Sequence, residues 1–438
     1  MRPVRVGIVG YGTVGQATAR IIASHAQDVH QRSDVFLTVT KVCRRTPIPS
    51  SELPQGVQAV SDWKQLVHAD DVDIVVETIG GTAVAEEVVR TSLEIGKPVV
   101  TANKNLIAES GEKLFALAAQ KNLPIGMEAT VAGGIPILRV LSESMSGDRV
   151  QAVYGILNGT ANYILTQMET TGAGFEPALT EARKAGYAEA DPTFDIDGID
   201  ARDKLCILAR LAFHARVSPA DIATIGIRQI SDVDIHYAKR LQSKIRLVAM
   251  AERNHDDLDL SVHPWMVEYQ SMLAKVEGVN NSVFLQGEKV GTQMFLGRGA
   301  GGDPTGAAVV SDLVEIARNM VAGRLVAKAL SGFTSWNNAT LHPGRRAVSW
   351  YLRLTVTDRP GIIARVAEVL AEKEINIDSV FQEPHMSKER LSFVITVEPV
   401  LKATIQAAVK LINQFDFMKE PVLLLRIATP LKLHEKLS

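Results

Sequence analysis

Gly10, Gly12 and Gly15 stand in the order G-x-G-x-x-G, between an apolar run from Val4 to Val9 and a stretch from Val14 to Ala23 whose apolar residues recur at helical spacing. A strand, a glycine turn and a helix in that order form a dinucleotide fingerprint. Gly10 permits the tight turn, Gly12 lets a pyrophosphate approach the backbone, and Gly15 lets helix pack on strand, with Thr13 and Val14 at the phosphate-facing start of the helix. Where the second strand should end, the chain reads Val42, Cys43, Arg44, Arg45, with no acid for the ribose hydroxyls. Arginines there suit a 2′-phosphate, so NADP(H) is expected over NAD(H) with Arg44 as the contact; the alternative is a solvated basic surface pair.

Further groups could act on a substrate. Lys104 lies in the segment Thr101–Asn105 after the fourth predicted strand, at the sheet edge where ligands of open sheets sit. It either reaches a cofactor or substrate there or is a solvated lysine. Asp200 and Lys204 are four apart on a predicted helix, so they share a face, as an ordinary ion pair does. A lysine can also give a proton or a positive charge to an oxygen that becomes negative during a reaction. The segment EATVAGGIPI from Glu128 reads as a tight turn leading into a helix, whose carbonyls and one carboxylate could also form an all-oxygen cation site. The ten histidines include no HExxH or paired spacing, which argues against zinc.

The elements that must position these groups alternate. Strands are predicted at Val4–Val9, Phe36–Cys43, Val72–Glu77, Pro98–Thr101 and Leu123–Glu128, with helices at Ala83–Ile95 and Gly111–Lys121. That is a doubly wound parallel sheet. From about Gly133 the pattern becomes α+β. After a Ser-, Thr-, Asn-, Gly- and Pro-rich linker, residues 348–430 read as a βαββαβ module. The expected division is 1–130, 131–330, a linker at 331–347, and 348–430. With 47 basic and 49 acidic residues the formal charge is −2, giving no reason to expect nucleic acid or a membrane surface. Only Cys43 and Cys206 occur, which excludes a disulfide framework and suggests a reducing, cytoplasmic setting.

Several segments together resemble homoserine dehydrogenase: GIVGYGTVG from Gly7, TANKNLIA from Thr101, EATVAGGIPI from Glu128, GILNGTANYIL from Gly155, GYAEADPTFDIDGIDARDK from Gly186 and GRGAGGDPTG from Gly297. No aspartate-kinase region precedes the fingerprint, so the resemblance is to the monofunctional bacterial form. It implies an N-terminal Rossmann sheet, an α+β substrate and dimerisation domain, and reversible conversion of L-aspartate 4-semialdehyde to L-homoserine in threonine, methionine and isoleucine biosynthesis. By the same resemblance Lys204 is the proton donor and Asp200 holds substrate. Lys104 is a second active-site lysine, and Glu189 binds the substrate's amino group. The glycine turn would bind sodium through Glu128, Val131, Gly133 and Ile135. GRGAGG would close on the cofactor around Gly301, although it also reads as a flexible turn before a helix from Thr305.

The C-terminal module resembles an ACT domain through the turn Asp358, Pro360, Gly361 and the stretch Asn376, Asp378, Gln382. That implies a homo-oligomer, dimer or tetramer, and feedback by L-threonine. Gly361 would give close backbone approach, with Asn376 and Asp378 meeting the effector's polar groups; the alternative is a module that only dimerises. A rival aspartate-semialdehyde dehydrogenase would need a nucleophilic cysteine, and both cysteines sit in apolar or strand-end contexts. A noncatalytic sensor of NADP(H) and amino acids is the rival from another class, and retention of Lys104, Glu189, Asp200 and Lys204 speaks against it.

Overall fold

The computed structural model describes residues 3–255, 257–327, 332–336, 340–341, 344, 346–383 and 388–428, so the expected linker lies partly outside the described residues. The chain divides into two compact units, Met1–Val153 with Arg202–Ile222 and Asn281–Ala339, and Tyr154–Ala201 with Ala223–Asn280 and Thr340–Ser438.

The first unit is built on strands β1 (Val4–Val9), β2 (Leu37–Cys43), β3 (Gln58–Val60), β4 (Ile74–Glu77), β5 (Val99–Thr101) and β6 (Ile125–Gly126), all parallel, in the order β3-β2-β1-β4-β5-β6. This is the expected Rossmann-type sheet, reversing direction of growth at β1 and β4. The strands are runs of Val and Ile because helices cover both faces of a parallel sheet. Helix α1 (Thr13–Ser24) buries Ala19 and Ile22 against Val6, Ile8 and Val39, in a core that also takes Val309 and Leu313 from the helix Gly302–Val321.

Three local expectations differ. The helix after β5 begins at Lys104 rather than Gly111, because the Asn103 side chain caps it by accepting from Leu106 N. The last expected strand shrinks to Ile125–Gly126, since Glu128–Thr130 turns into a 3-10 segment. The helix expected from Thr305 already starts at Gly302, after Gly301 at φ +117°.

In the second unit, strands Ser243–Asn254 and Asp257–Glu268 pair antiparallel along their whole length. The C-terminal module has the expected βαββαβ order: Val348–Val356, helix Ile362–Glu372, Ile377–Gln382, Leu391–Val400, helix Lys402–Ile412 and Leu423–Ala428. Both helices lie on one face, where Val366, Leu370, Ile405 and Ala408 meet Leu352, Leu354, Phe393 and Ile395. Its last strand also runs parallel to Asp257–Glu268, Trp265 opposite Arg426, so the module continues that sheet edge to edge. Among the described residues, no helix is long and apolar enough to cross a membrane.

Candidate active site

The fingerprint turn is fixed by what a side chain would strike. Gly10, at φ +104°, faces the Thr78 carbonyl, 2.6 Å from where a Cβ would stand, and a Cβ on Gly15 would lie 2.2 Å from Gly10 O. Only glycine fits either place. Gly12, by contrast, faces open space, and the start of α1 that it caps has no side-chain cap. Its first amides are therefore left for an anion, the fit a dinucleotide pyrophosphate requires. The amides of Gly10 and Tyr11 are fastened to Cys43 O at 3.0 and 3.1 Å, which ties the turn to the end of β2.

The GRGAGG segment leads straight into this cradle. Cβ atoms on Gly302 and Gly306 would lie 3.2 Å from Thr13 and 3.0 Å from Thr18 N, so the helix Gly302–Val321 closes on the start of α1. One on Gly133 would meet the Gly299 backbone at 2.8 Å, and Gly134 N donates to Arg298 O at 3.1 Å. Gly301 stands between these two contacts in sequence.

A network that sequence reasoning missed sits where β4 and β5 end. Glu77 is fully buried; its carboxylate accepts from Thr101 Oγ1 at 2.5 Å and Ile79 N at 2.6 Å. Thr101 Oγ1 accepts from Asn103 N, and Asn103 Nδ2 donates to Ile79 O and Gly81 O. Burial pushes the Glu77 carboxyl up to about 7, against the pull of these hydrogen bonds. The network fixes the first turn of the next helix and thereby half-buried Lys104, its first residue. The signal available in the sequence was a glutamate closing an otherwise apolar strand.

Arg44 follows β2 as expected, but its guanidinium is engaged: Nε donates to Thr46 O, Nη2 to Pro47 O, and Nη1 pairs with Glu52 at 3.2 Å. Arg45 is exposed.

The predicted substrate residues are distributed over both units. Asp200 and Lys204 lie one turn apart on the helix Ile199–Phe213, and both are buried. Asp200 accepts from Asn158 Nδ2 at 2.8 Å, and the same amide donates to Asp195 at 2.6 Å. Asn158 also caps the helix Gly159–Thr171 by accepting from Ala161 N. It is a candidate site residue that the GILNGTAN motif contained but spacing could not single out. Glu189 is exposed, and Asp191 caps the turn after Pro192 by accepting from Thr193 N. Cys206 is fully buried, and burial pushes its thiol up to about 11, which suits a core residue rather than a nucleophile.

In the glycine turn, Glu128 is buried and its two oxygens accept from Leu138 N and Arg139 N. The carbonyl of Ile135 accepts from Ile137 N, while no hydrogen bond among the described residues reaches the carbonyls of Val131 and Gly133. Carbonyls without a hydrogen bond among the described residues, a few positions along from a carboxylate, are donors of the kind a hard cation takes. A cavity of about 160 Å³ beside Glu128 is also lined by Arg139, Asp312 and Glu315. In the C-terminal module Gly361 caps the first helix at φ +92°. Asn376 donates to Glu398 and Asp378 accepts from Thr396, so both polar residues lean on the neighbouring strand.

A six-stranded parallel sheet with an open, uncapped helix start behind a glycine turn is the dinucleotide-binding half of a doubly wound fold. Comparison narrows the class. Residues 10–128 match the family model described as homoserine dehydrogenase, NAD binding domain, residues 136–314 that of homoserine dehydrogenase, and residues 350–413 that of the ACT domain. A homoserine dehydrogenase of Neisseria gonorrhoeae is 35% identical over 430 residues, covering 98% of this chain and 99% of that relative. One from Pseudomonas aeruginosa is 36% identical over 431 residues, with the same coverage of 98% and 99%. Among solved structures, a homoserine dehydrogenase from Thiobacillus denitrificans superimposes with a TM-score of 0.91 at 35% identity, over 98% of this chain and 99% of that one. A hyperthermophilic archaeal homoserine dehydrogenase in complex with NADPH matches with a TM-score of 0.61 at 29% identity, over 72% of this chain and 97% of that one. The chain belongs to the homoserine dehydrogenase family, and is an oxidoreductase with a C-terminal ACT domain.

Proposed function

We propose that the chain interconverts L-homoserine and L-aspartate 4-semialdehyde on the route to threonine, methionine and isoleucine, in the cytoplasm, as a homo-oligomer whose functional regions are 1–130, 131–330 and 348–430. The observation that carries the reading is buried Lys204 one turn from buried Asp200, in a chain alignable nearly end to end with homoserine dehydrogenases. The nicotinamide, when bound, supplies or accepts the hydride. Lys204 gives the proton to the carbonyl oxygen as it becomes an alkoxide, and Lys104 adds positive charge near it. Glu189 takes the substrate ammonium, and Asp200, oriented by Asn158, holds the substrate.

NADP(H) is the preferred cofactor in this reading, on the strength of Arg44 and of the NADPH complex of the archaeal relative. Sodium at Glu128, Val131, Gly133 and Ile135 stiffens the glycine turn. L-threonine acts through Gly361, Asn376 and Asp378. The test is oxidation of NADPH with L-aspartate 4-semialdehyde, compared with NADH, with and without L-threonine. Lys204→Ala should lower turnover by about 10²–10⁴-fold; near-wild-type rates would remove the proton-donor role. Because the last strand of the ACT domain pairs with Asp257–Glu268, truncation at residue 340 would uncover a sheet edge; Asp378→Ala in the full chain is the cleaner test of threonine inhibition.

A further inference from the structure

We infer that Glu52 sets the ratio in which this chain takes the two nicotinamide dinucleotides, by holding Arg44 until a 2′-phosphate displaces it. The inference rests on the reading that Arg44 faces the 2′ position of the adenosine ribose. Cys43 O fastens the fingerprint turn, so residue 44 enters at the end of β2 where dinucleotide folds select between hydroxyl and phosphate. In most NAD enzymes the selecting acid stands on that strand end. Here the acid comes from the following loop instead.

The contacts of Glu52 are specific. Its Oε2 pairs with Arg44 Nη1 at 3.2 Å and accepts from Gln16 Nε2, in the second turn of α1, at 3.0 Å. Its backbone carbonyl accepts from Tyr11 Oη at 3.0 Å. The residue is thus tied to Tyr11 within the fingerprint turn and to Gln16 directly after it. Arg44 is meanwhile occupied on all three of its nitrogens, since Thr46 O and Pro47 O take the other two. A 2′-phosphate that takes Arg44 Nη1 has to share it with the Glu52 carboxylate or displace it, and the two anions repel each other. A ribose bearing a 2′-hydroxyl requires no such exchange, and the carboxylate remains as an acceptor for it. The side chains of Arg44 and Glu52 are 26% and 38% exposed, so the exchange is open to solvent and the hold is modest.

The test is a fluorescence titration of the full-length protein with NADPH and with NADH, without substrate, for wild type, Glu52→Gln, Arg44→Ala and the double variant. Glu52→Gln keeps the side chain's shape and the backbone bond to Tyr11. It should tighten NADPH by up to about fivefold with little change for NADH, the scale of an exposed ion pair. In the double variant that gain should vanish. An unchanged NADPH-to-NADH ratio in Glu52→Gln, or a gain that persists without Arg44, overturns the inference. Arg44→Ala alone reports on the underlying reading: if NADPH binding does not weaken, the phosphate contact lies elsewhere.

Discussion

Glu77 and Asp234 are both fully buried acids, and the two regions they serve treat them in opposite ways. Glu77, at the end of β4, is held by the Thr101 hydroxyl, the Ile79 amide and the Asn103 side chain, and among the described residues no cation pairs with it. Asp234, in the helix Asp232–Arg240, pairs with Arg353 and accepts from Tyr351 Oη at 2.8 Å and from Ser231 N at 2.8 Å. Burial raises both carboxyls above the ordinary range, but at Asp234 the Arg353 guanidinium pulls the other way. The cofactor-side acid is therefore a group that can gain or lose a proton near neutrality. The one in the second unit is a clamp, joining the first ACT strand to a helix outside the module. Equal burial does not mean equal function: the partner decides whether a buried acid can titrate near neutrality or fastens a module.

The clamp should break hardest. Arg353→Ala leaves Asp234 buried beside Tyr351 without its cation, and should cost about 3–5 kcal/mol in urea unfolding. A loss below about 1 kcal/mol would show that the pair only tolerates burial and does not fasten the module.

The uncompensated acid should instead show itself through pH. Its carboxyl lies at about 7 in the folded chain against 4.5 in the unfolded one, so the folded state keeps a proton that the unfolded state has lost. Stability then falls as pH rises through that window, by about 1.4 kcal/mol per unit where the difference in bound protons is complete. Glu77→Gln cannot ionise and removes this slope, so urea midpoints of wild type and variant should diverge between about pH 5 and pH 8, in favour of the variant. Parallel curves would mean that Glu77 ionises without penalty.

Much of this was legible in the sequence. The alternation of strands and helices, the fingerprint glycines and the βαββαβ module are local patterns whose order the fold keeps, although the helix from Lys104 and the strand Ile125–Gly126 have other bounds than expected. The six-stranded order placed Lys104 at the carboxyl edge, as its position after β5 implied. What stayed hidden depends on partners far along the chain. Glu77 becomes a buried acid because β1 and β5 flank it, and its donor Thr101 lies 24 residues on. The edge-to-edge pairing of the ACT strand with Asp257–Glu268 joins segments more than 150 residues apart, and no periodicity encodes such a register. Asn158 was visible as a letter in a motif, yet its link to Asp195 and Asp200 exists only once the helix Ile199–Phe213 is in place.

Within the Glu77 network, Thr101→Val removes the hydroxyl that donates to the carboxylate and accepts from Asn103 N, at a cost of about 1–3 kcal/mol. The smallest effect on stability should come from the cap itself. Asn103→Ala deletes the acceptor for Leu106 N, worth about 1 kcal/mol, along with the amide donated to Ile79 O and Gly81 O, while Asn103→Asp keeps that acceptor but loses the amide and sets a second carboxyl beside Glu77. If the network exists to aim Lys104, turnover should separate from stability in this pair. Asn103→Ala, which frees the first helical turn, should lower kcat by more than its modest loss of stability explains, and Asn103→Asp should restore most of it. Turnover that merely follows stability in both variants would make the network a brace for the sheet edge, no different in kind from the clamp at Asp234.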